Sequence, residues 1–187
     1  KAEGVSLDQA AMVEFLSIGA HAVRRGAVKA GQRVLVVGAG PIGMAALIFA
    51  RLRGAAVTAL DTRRDRLSFC EQHLQVTAAV QIGSDDEARL SALTDGEFFD
   101  VVFDAVGTDH TIDTAFRCSA PRARIVLVGM DSPRLSVSAY EIRRLANVGG
   151  PVRSGDAART EHLEEVQDHH RVHQNAHLMG EGDRYSA

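Results

Sequence analysis

Arg33-Val34-Leu35-Val36-Val37-Gly38-Ala39-Gly40-Pro41-Ile42-Gly43 is the stretch that decides the fold of this chain. Residues 33–37 read as a strand, a short continuous apolar run without polar alternation, the pattern of a strand covered on both faces. The run passes directly into a G-x-G-x-x-G, and residues 41–53 then read as a helix closed by Gly54 at a C-cap position. Outward from there the pattern repeats. Strands are predicted at 56–60, 78–81, 101–103 and 124–128, with helices at 63–72, 85–93 and 110–118 between them. Asp85, Asp86 and Glu87 suit the positive end of the helix at 85–93. Strand and helix in regular alternation predict an α/β fold, a doubly wound parallel sheet with right-handed crossovers.

The first thirty residues predict one amphipathic helix and a turn. Ala10, Ala11, Val13, Phe15, Leu16, Ile18, Ala20 and Val23 are apolar at helical spacing, and Arg24-Arg25 suits the helix C-terminus. The expected organisation is a helix and linker at 1–30, a core domain at 31–155 and an atypical tail at 156–187. Five of the eight histidines (His162, His169, His170, His173, His177) fall in the last 37 residues. His169, His173 and His177 would share one face of a helix, a spacing that can bind Zn, Ni or Cu. The plainer reading is a polar tail.

Composition excludes several classes. The 187 residues carry 21 Lys and Arg against 24 Asp and Glu, a net charge of −3, which argues against a nucleic-acid binder. Hydrophobic residues make up 45%, enough for a real core. No apolar run approaches the ~18 residues of a membrane span. Cys70 and Cys118 stand far apart, so neither a disulfide framework nor a zinc knuckle is expected, and a reducing cytoplasm is the expected compartment. The chain starts at Lys1 without Met or a targeting pattern, which reads as a piece of something longer.

The glycine loop carries the chemical signal. Gly38 permits the tight turn, Gly40 lets backbone approach a pyrophosphate, and Gly43 lets the helix lie close to the strand. Ile42 and Pro41 occupy the first helical turn, where the donor missing from proline costs nothing. The phosphates would then meet free N–H groups at the positive end of the helix. Asp61, eighteen residues past Gly43, can accept both ribose hydroxyls of NAD and would repel a 2′-phosphate. Arg63 and Arg64 follow at once and can pair with the phosphate of NADP; the acid favours NAD. Three alternatives stay open. The glycines could only close a strand–helix turn, with Asp61 capping the next helix. Methyltransferase loops usually carry an acid just before the first glycine, and Val36-Val37 has none. FAD proteins usually place the loop near the chain start and end the second strand in Glu.

The runs 13–25 and 28–36, together with Gly38-Ala39-Gly40-Pro41-Ile42-Gly43, resemble the cofactor domain of zinc-type, medium-chain alcohol dehydrogenases, near the sorbitol, threonine and polyol branch. The likeness covers about residues 5–155. It implies an NAD-binding Rossmann domain from an enzyme that oxidises a secondary alcohol or polyol by hydride transfer to NAD, with zinc as Lewis acid. By resemblance, Glu14 approaches the catalytic zinc; a solvated Glu on the first helix is the plain alternative. Val106-Gly107 and Val128-Gly129-Met130 match segments whose backbone passes the cofactor, and Arg153 matches an Arg-containing segment near the nicotinamide. Phe15 stands where many relatives have Pro, and Pro121-Arg122-Ala123 replaces a Gly-Gly turn. Most zinc ligands of the family are missing, so the resemblance implies a fragment, inactive alone and a homo-oligomer when full length. The second reading is a dinucleotide-binding module or truncated product without catalysis.

Overall fold

The computed structural model describes residues 4–130, all within one compact unit, Lys1–Asn147. Five strands form one parallel sheet: β1 (Arg33–Val37), β2 (Ala56–Asp61), β3 (Ala78–Gln81), β4 (Phe99–Asp104) and β5 (Ser119–Leu127), in the order β3-β2-β1-β4-β5. Helices α3 (Pro41–Leu52), α4 (Arg64–Phe69), α5 (Asp86–Ala92) and α6 (Asp109–Arg117) connect them, and α1 (Leu7–Ala11) and α2 (Val13–Arg25) precede them. This is the doubly wound arrangement expected from the alternation of strand and helix.

β1 lies at the centre because Val34 to Val37 can be buried on both faces. Side chains alternate across a strand, and the two faces collect different partners. Val34 and Val36 join a core with Ala22 and Val23 of α2, Ala46, Leu47 and Ala50 of α3, and Leu67 of α4. Leu35 and Val37 join a second core with Leu90 of α5 and Ala115 of α6. β1 pairs with β2 through Val34–Val57 and Val37–Leu60, and with β4 through Val34–Val101 and Val37–Asp104. The chain therefore winds one way through β2 and β3 and the other through β4 and β5. The crevice at the carboxyl ends of β1 and β4 is where such a sheet binds ligands.

Several boundaries differ from the sequence expectation. The single N-terminal helix is two: Ser6 caps α1 in a reciprocal box with Gln9 (3.1 and 3.0 Å), and the turn tightens at Met12 before α2 begins. Of α2, only Gly19, Ala22 and Val23 are buried, because only its later turns rest on α3. Val13 and Met12 are exposed despite their apolar spacing. The second connecting helix stops being α-helical at Phe69 and continues as one wide turn, Cys70–Leu74, ended by Gln75 in a left-handed conformation. β4 runs longer than predicted because Phe99 and Asp104 both pair and are buried.

β5 starts at Ser119, five residues before the predicted Arg124. Ser119 pairs with Phe99 and Arg124 with Val101, so the ladder is irregular between them, with Arg122 at φ 67°. That irregularity is where Pro121, which has no N–H to donate, is tolerated. The tail expected at 156–187 lies outside the described residues. No helix among the described residues is long and apolar enough to cross a membrane.

The α2–α3 contact depends on a missing side chain. A Cβ on Gly19 would stand 2.5 Å from the Ala45 Cβ and 2.7 Å from its carbonyl carbon. Gly19→Ala should therefore destabilise the chain by about 2 kcal/mol, the usual cost of overpacking, read as a lower midpoint in urea. Cys70 and Cys118 are both buried, and burial aided by the charges of Asp61 and Glu71 pushes the Cys70 thiol up to about 11. Neither should react with a disulfide reagent in native protein near pH 8, and both should react after unfolding.

Candidate functional site

The loop between β1 and α3 is shaped by contacts that leave no room for side chains. Gly38 sits at φ 95°, donating its N–H to the Leu60 carbonyl at 2.7 Å. That backbone conformation strongly favours glycine. A Cβ on Gly43 would overlap the Gly38 carbonyl oxygen, so α3 can lie against β1 only with glycine there. Gly40 differs: a Cβ added to it meets nothing within 4 Å, so open space lies beside the loop. Gly40 is the N-cap of α3 and makes no side-chain cap, Pro41 starts the helix, and the first turn holds no acidic residue. No side chain of α3 itself caps or offsets its positive end, an arrangement that favours an anion there. Ile42 is half-buried beside Pro41.

Asp61 ends β2 beside this loop and is only 5% exposed. Its Oδ2 accepts the Ala39 N–H at 2.7 Å, and its Oδ1 accepts the Arg63 N–H at 2.7 Å. The carboxylate therefore ties the glycine loop to the next strand and steadies the entry into α4. The Thr62 hydroxyl makes a second, long contact of 3.5 Å to Oδ1, so a further donor would use the second lone pair of Oδ2 or displace this weak contact. The guanidinium groups of Arg63 and Arg64 bond to other acids: Arg63 grips Asp65 in a two-pronged pair (3.0 and 2.5 Å), and Arg64 pairs with Glu71 at 2.8 Å. The cation that faces Asp61 is Arg66, whose Nη1 lies 3.5 Å from Oδ2. Sequence reading stopped at the two arginines next to the acid. The usable signal was helical phase, since side chains in the first turn of α4 lean back toward its N-terminus and the strand end.

Across the crevice, the carboxyl ends of β4 and β5 bring together the other matched segments. Val106 is 38% exposed, and a Cβ added to Gly38 would come 2.5 Å from its Cγ2. Gly107, at φ 87°, has its backbone against that of Gly129, and a side chain on either would overlap the other's main chain. Val128 and Gly129 are half-buried, whereas Met130 is 85% exposed. Asp104 holds this side together. It is fully buried, and burial raises its carboxyl above the ordinary carboxylate range despite hydrogen bonds that oppose the shift. Those bonds come from the N–H groups of Val106 (3.0 Å) and Gly107 (3.1 Å) and the Thr111 hydroxyl (3.2 Å). Sequence reading passed over Asp104 as part of a strand end. The signal was an acid one position before the Ala105-Val106-Gly107 turn, with Thr108 and Thr111 placed to cap a helix.

Glu14 lies apart from this constellation, exposed in the first turn of α2. Among the described residues no group of three or more His, Cys, Asp or Glu is placed to hold a metal ion. The described residues thus offer zinc no donor set of their own. Arg153 and the histidines at 169, 173 and 177 lie outside the described residues.

Residues 41–166 match the family model described as zinc-binding dehydrogenase. The chain is 34% identical over 143 residues to L-galactonate-5-dehydrogenase of Escherichia coli (strain K12), covering 76% of this chain and 42% of that protein. It is 32% identical over 139 residues to human sorbitol dehydrogenase, covering 72% and 39% respectively. Among solved structures, alcohol dehydrogenase TADH from Thermus sp. ATN1 superposes with a TM-score of 0.63 at 27% identity, over 70% of this chain and 38% of that one. The chain spans about two fifths of the length of the curated relatives it matches.

The Asp61 geometry has a direct consequence for stability. Asp61→Ala leaves the Ala39 and Arg63 N–H groups without their acceptor, and should cost about 1–3 kcal/mol in a denaturant titration at neutral pH.

Proposed function

The chain belongs to the zinc-binding dehydrogenase family, and from that premise we propose that it is the NAD-binding part of an enzyme that oxidises a secondary alcohol or polyol. The observation that carries the reading is the uncapped N-terminus of α3 with open space beside Gly40 and Asp61 at the neighbouring strand end. A pyrophosphate suits the first feature, because N–H groups and the helix dipole both favour negative charge there. Ribose hydroxyls suit the second, because the Asp61 oxygens retain acceptor capacity beyond the Ala39 and Arg63 N–H groups. These residues fit NAD.

When bound, NAD supplies the acceptor for hydride. The residues of this chain bind and orient. Gly38, Gly40, Pro41, Ile42 and Gly43 form the pyrophosphate cradle, and Asp61 receives the adenosine ribose. Val106, Gly107, Val128, Gly129 and Met130 offer backbone and apolar side chains to the other half of the dinucleotide. Arg153 and Glu14 remain proposals by family likeness, the first toward the nicotinamide and the second toward zinc in the whole enzyme. The substrate is a small alcohol or polyol, as the names of the galactonate and sorbitol dehydrogenases suggest. The whole protein is proposed to be a cytoplasmic homo-oligomer.

Cofactor choice rests on two opposed charges. Asp61 disfavours a 2′-phosphate, while Arg66, and Arg63 and Arg64 if released from their acidic partners, would attract one. Fluorescence titration of the chain should show NADH binding at least about tenfold tighter than NADPH, as expected when a carboxylate must face a phosphate. Asp61→Ala should bring the two affinities together. The ratio is the decisive quantity, because lost stability alone would weaken both ligands alike. Tighter NADPH binding by the unmodified chain would overturn the role given to Asp61.

A further inference from the structure

Asp104 is the last residue of β4 and pairs with the last residue of each neighbouring strand, Val37 and Leu127. Its side chain receives the Val106 and Gly107 N–H groups and the Thr111 hydroxyl. Its main-chain oxygen receives the N–H groups of Val128 (2.8 Å) and Gly129 (3.0 Å). One residue thus holds both loops on this side of the crevice, with five donors converging on its three oxygens. The hold is transmitted outward. Val106 is set beside Gly38, the Gly107 and Gly129 backbones are set against each other, and Thr111 closes the reciprocal cap with Thr108 that starts α6. A buried carboxylate is costly unless such donors meet it.

Asp61 performs the corresponding task for the glycine loop, on the opposite side of the switch in winding direction. The two acids therefore divide the crevice: Asp61 the adenosine side, Asp104 the side over β4 and β5. We propose that Asp104 is a positioning residue for the nicotinamide half of the dinucleotide, acting through the two loops it ties together. The inference rests on the dinucleotide reading of the site, and it assigns Asp104 no contact with the cofactor itself.

The test uses the full 187-residue chain and two ligands. NADH occupies both sides of the crevice and is followed by its fluorescence; AMP occupies only the adenosine side and is followed by calorimetry. Asp104→Ala should weaken NADH about tenfold or more while AMP changes less than about twofold, since only one side loses its buried acceptor. Asp104→Asn keeps an acceptor oxygen for the Val106 and Gly107 N–H groups and should restore most of the NADH affinity. A purely structural role would instead lower both ligands by the same factor. That parallel loss, unchanged NADH binding, or no recovery with Asn would each overturn the proposal. Should Asp104→Ala fail to fold, Thr111→Val decides: NADH should weaken about threefold with AMP unchanged, and equal losses or none would sink the idea. If the unmodified chain binds AMP and NADH not at all, the dinucleotide reading itself fails, and this inference with it.

Discussion

There is no room for a side chain where α3 leaves β1. A Cβ at Gly43 would occupy the position of the Gly38 carbonyl oxygen, and everything at the carboxyl end of the sheet depends on that close approach. It brings the N-terminus of α3 to the edge of the central strand. It also brings Gly38 within reach of the Leu60 carbonyl on one side and of Val106 on the other. A larger residue would lift the helix away, and the positive end of α3 would no longer face the crevice between β1 and β4.

Two buried acids then finish the two sides of that crevice by the same physical means. Backbone N–H groups in tight loops cannot all reach other backbone, and an unmet donor in the interior is expensive. Asp61 meets the Ala39 and Arg63 donors, and Asp104 meets those of Val106 and Gly107. They differ in how they are balanced. Arg66 lies beside Asp61, whereas burial dominates at Asp104 and raises its carboxyl. A site for a charged ligand is thereby built from groups whose first task is to hold loops still.

Legibility in the sequence followed the range of the interactions. β1 and β3 were read with their observed ends, and α3 to within a residue, because apolar runs, glycines and Pro41 are local signals. β5 was read late because its first residues pair across an irregular ladder containing Pro121 and Arg122, which look like a turn. The break at Met12 and the exposure of Val13 were missed because apolar spacing shows which face could be buried, while coverage depends on what lies opposite. At the site, the glycines and Asp61 stood out by motif. Arg66 and Asp104 carried no motif, only the weaker signals of helical phase and a capping pattern, and their partners emerge from the fold.

The residues alone determined the parallel α/β architecture, the glycine loop at the end of its central strand, and the family to which the chain belongs. Each of these is encoded in short-range pattern: strand and helix periodicity, and glycines where a Cβ would collide. Tertiary structure decided which charges meet. It turned Arg63 and Arg64 toward Asp65 and Glu71, set Arg66 against Asp61, and gathered five donors from three segments onto Asp104. The arginine pairs are short-range and depend on how the chain turns from β2 into α4, whereas the Val128 and Gly129 donors reach Asp104 only because the folded sheet lays β5 beside β4.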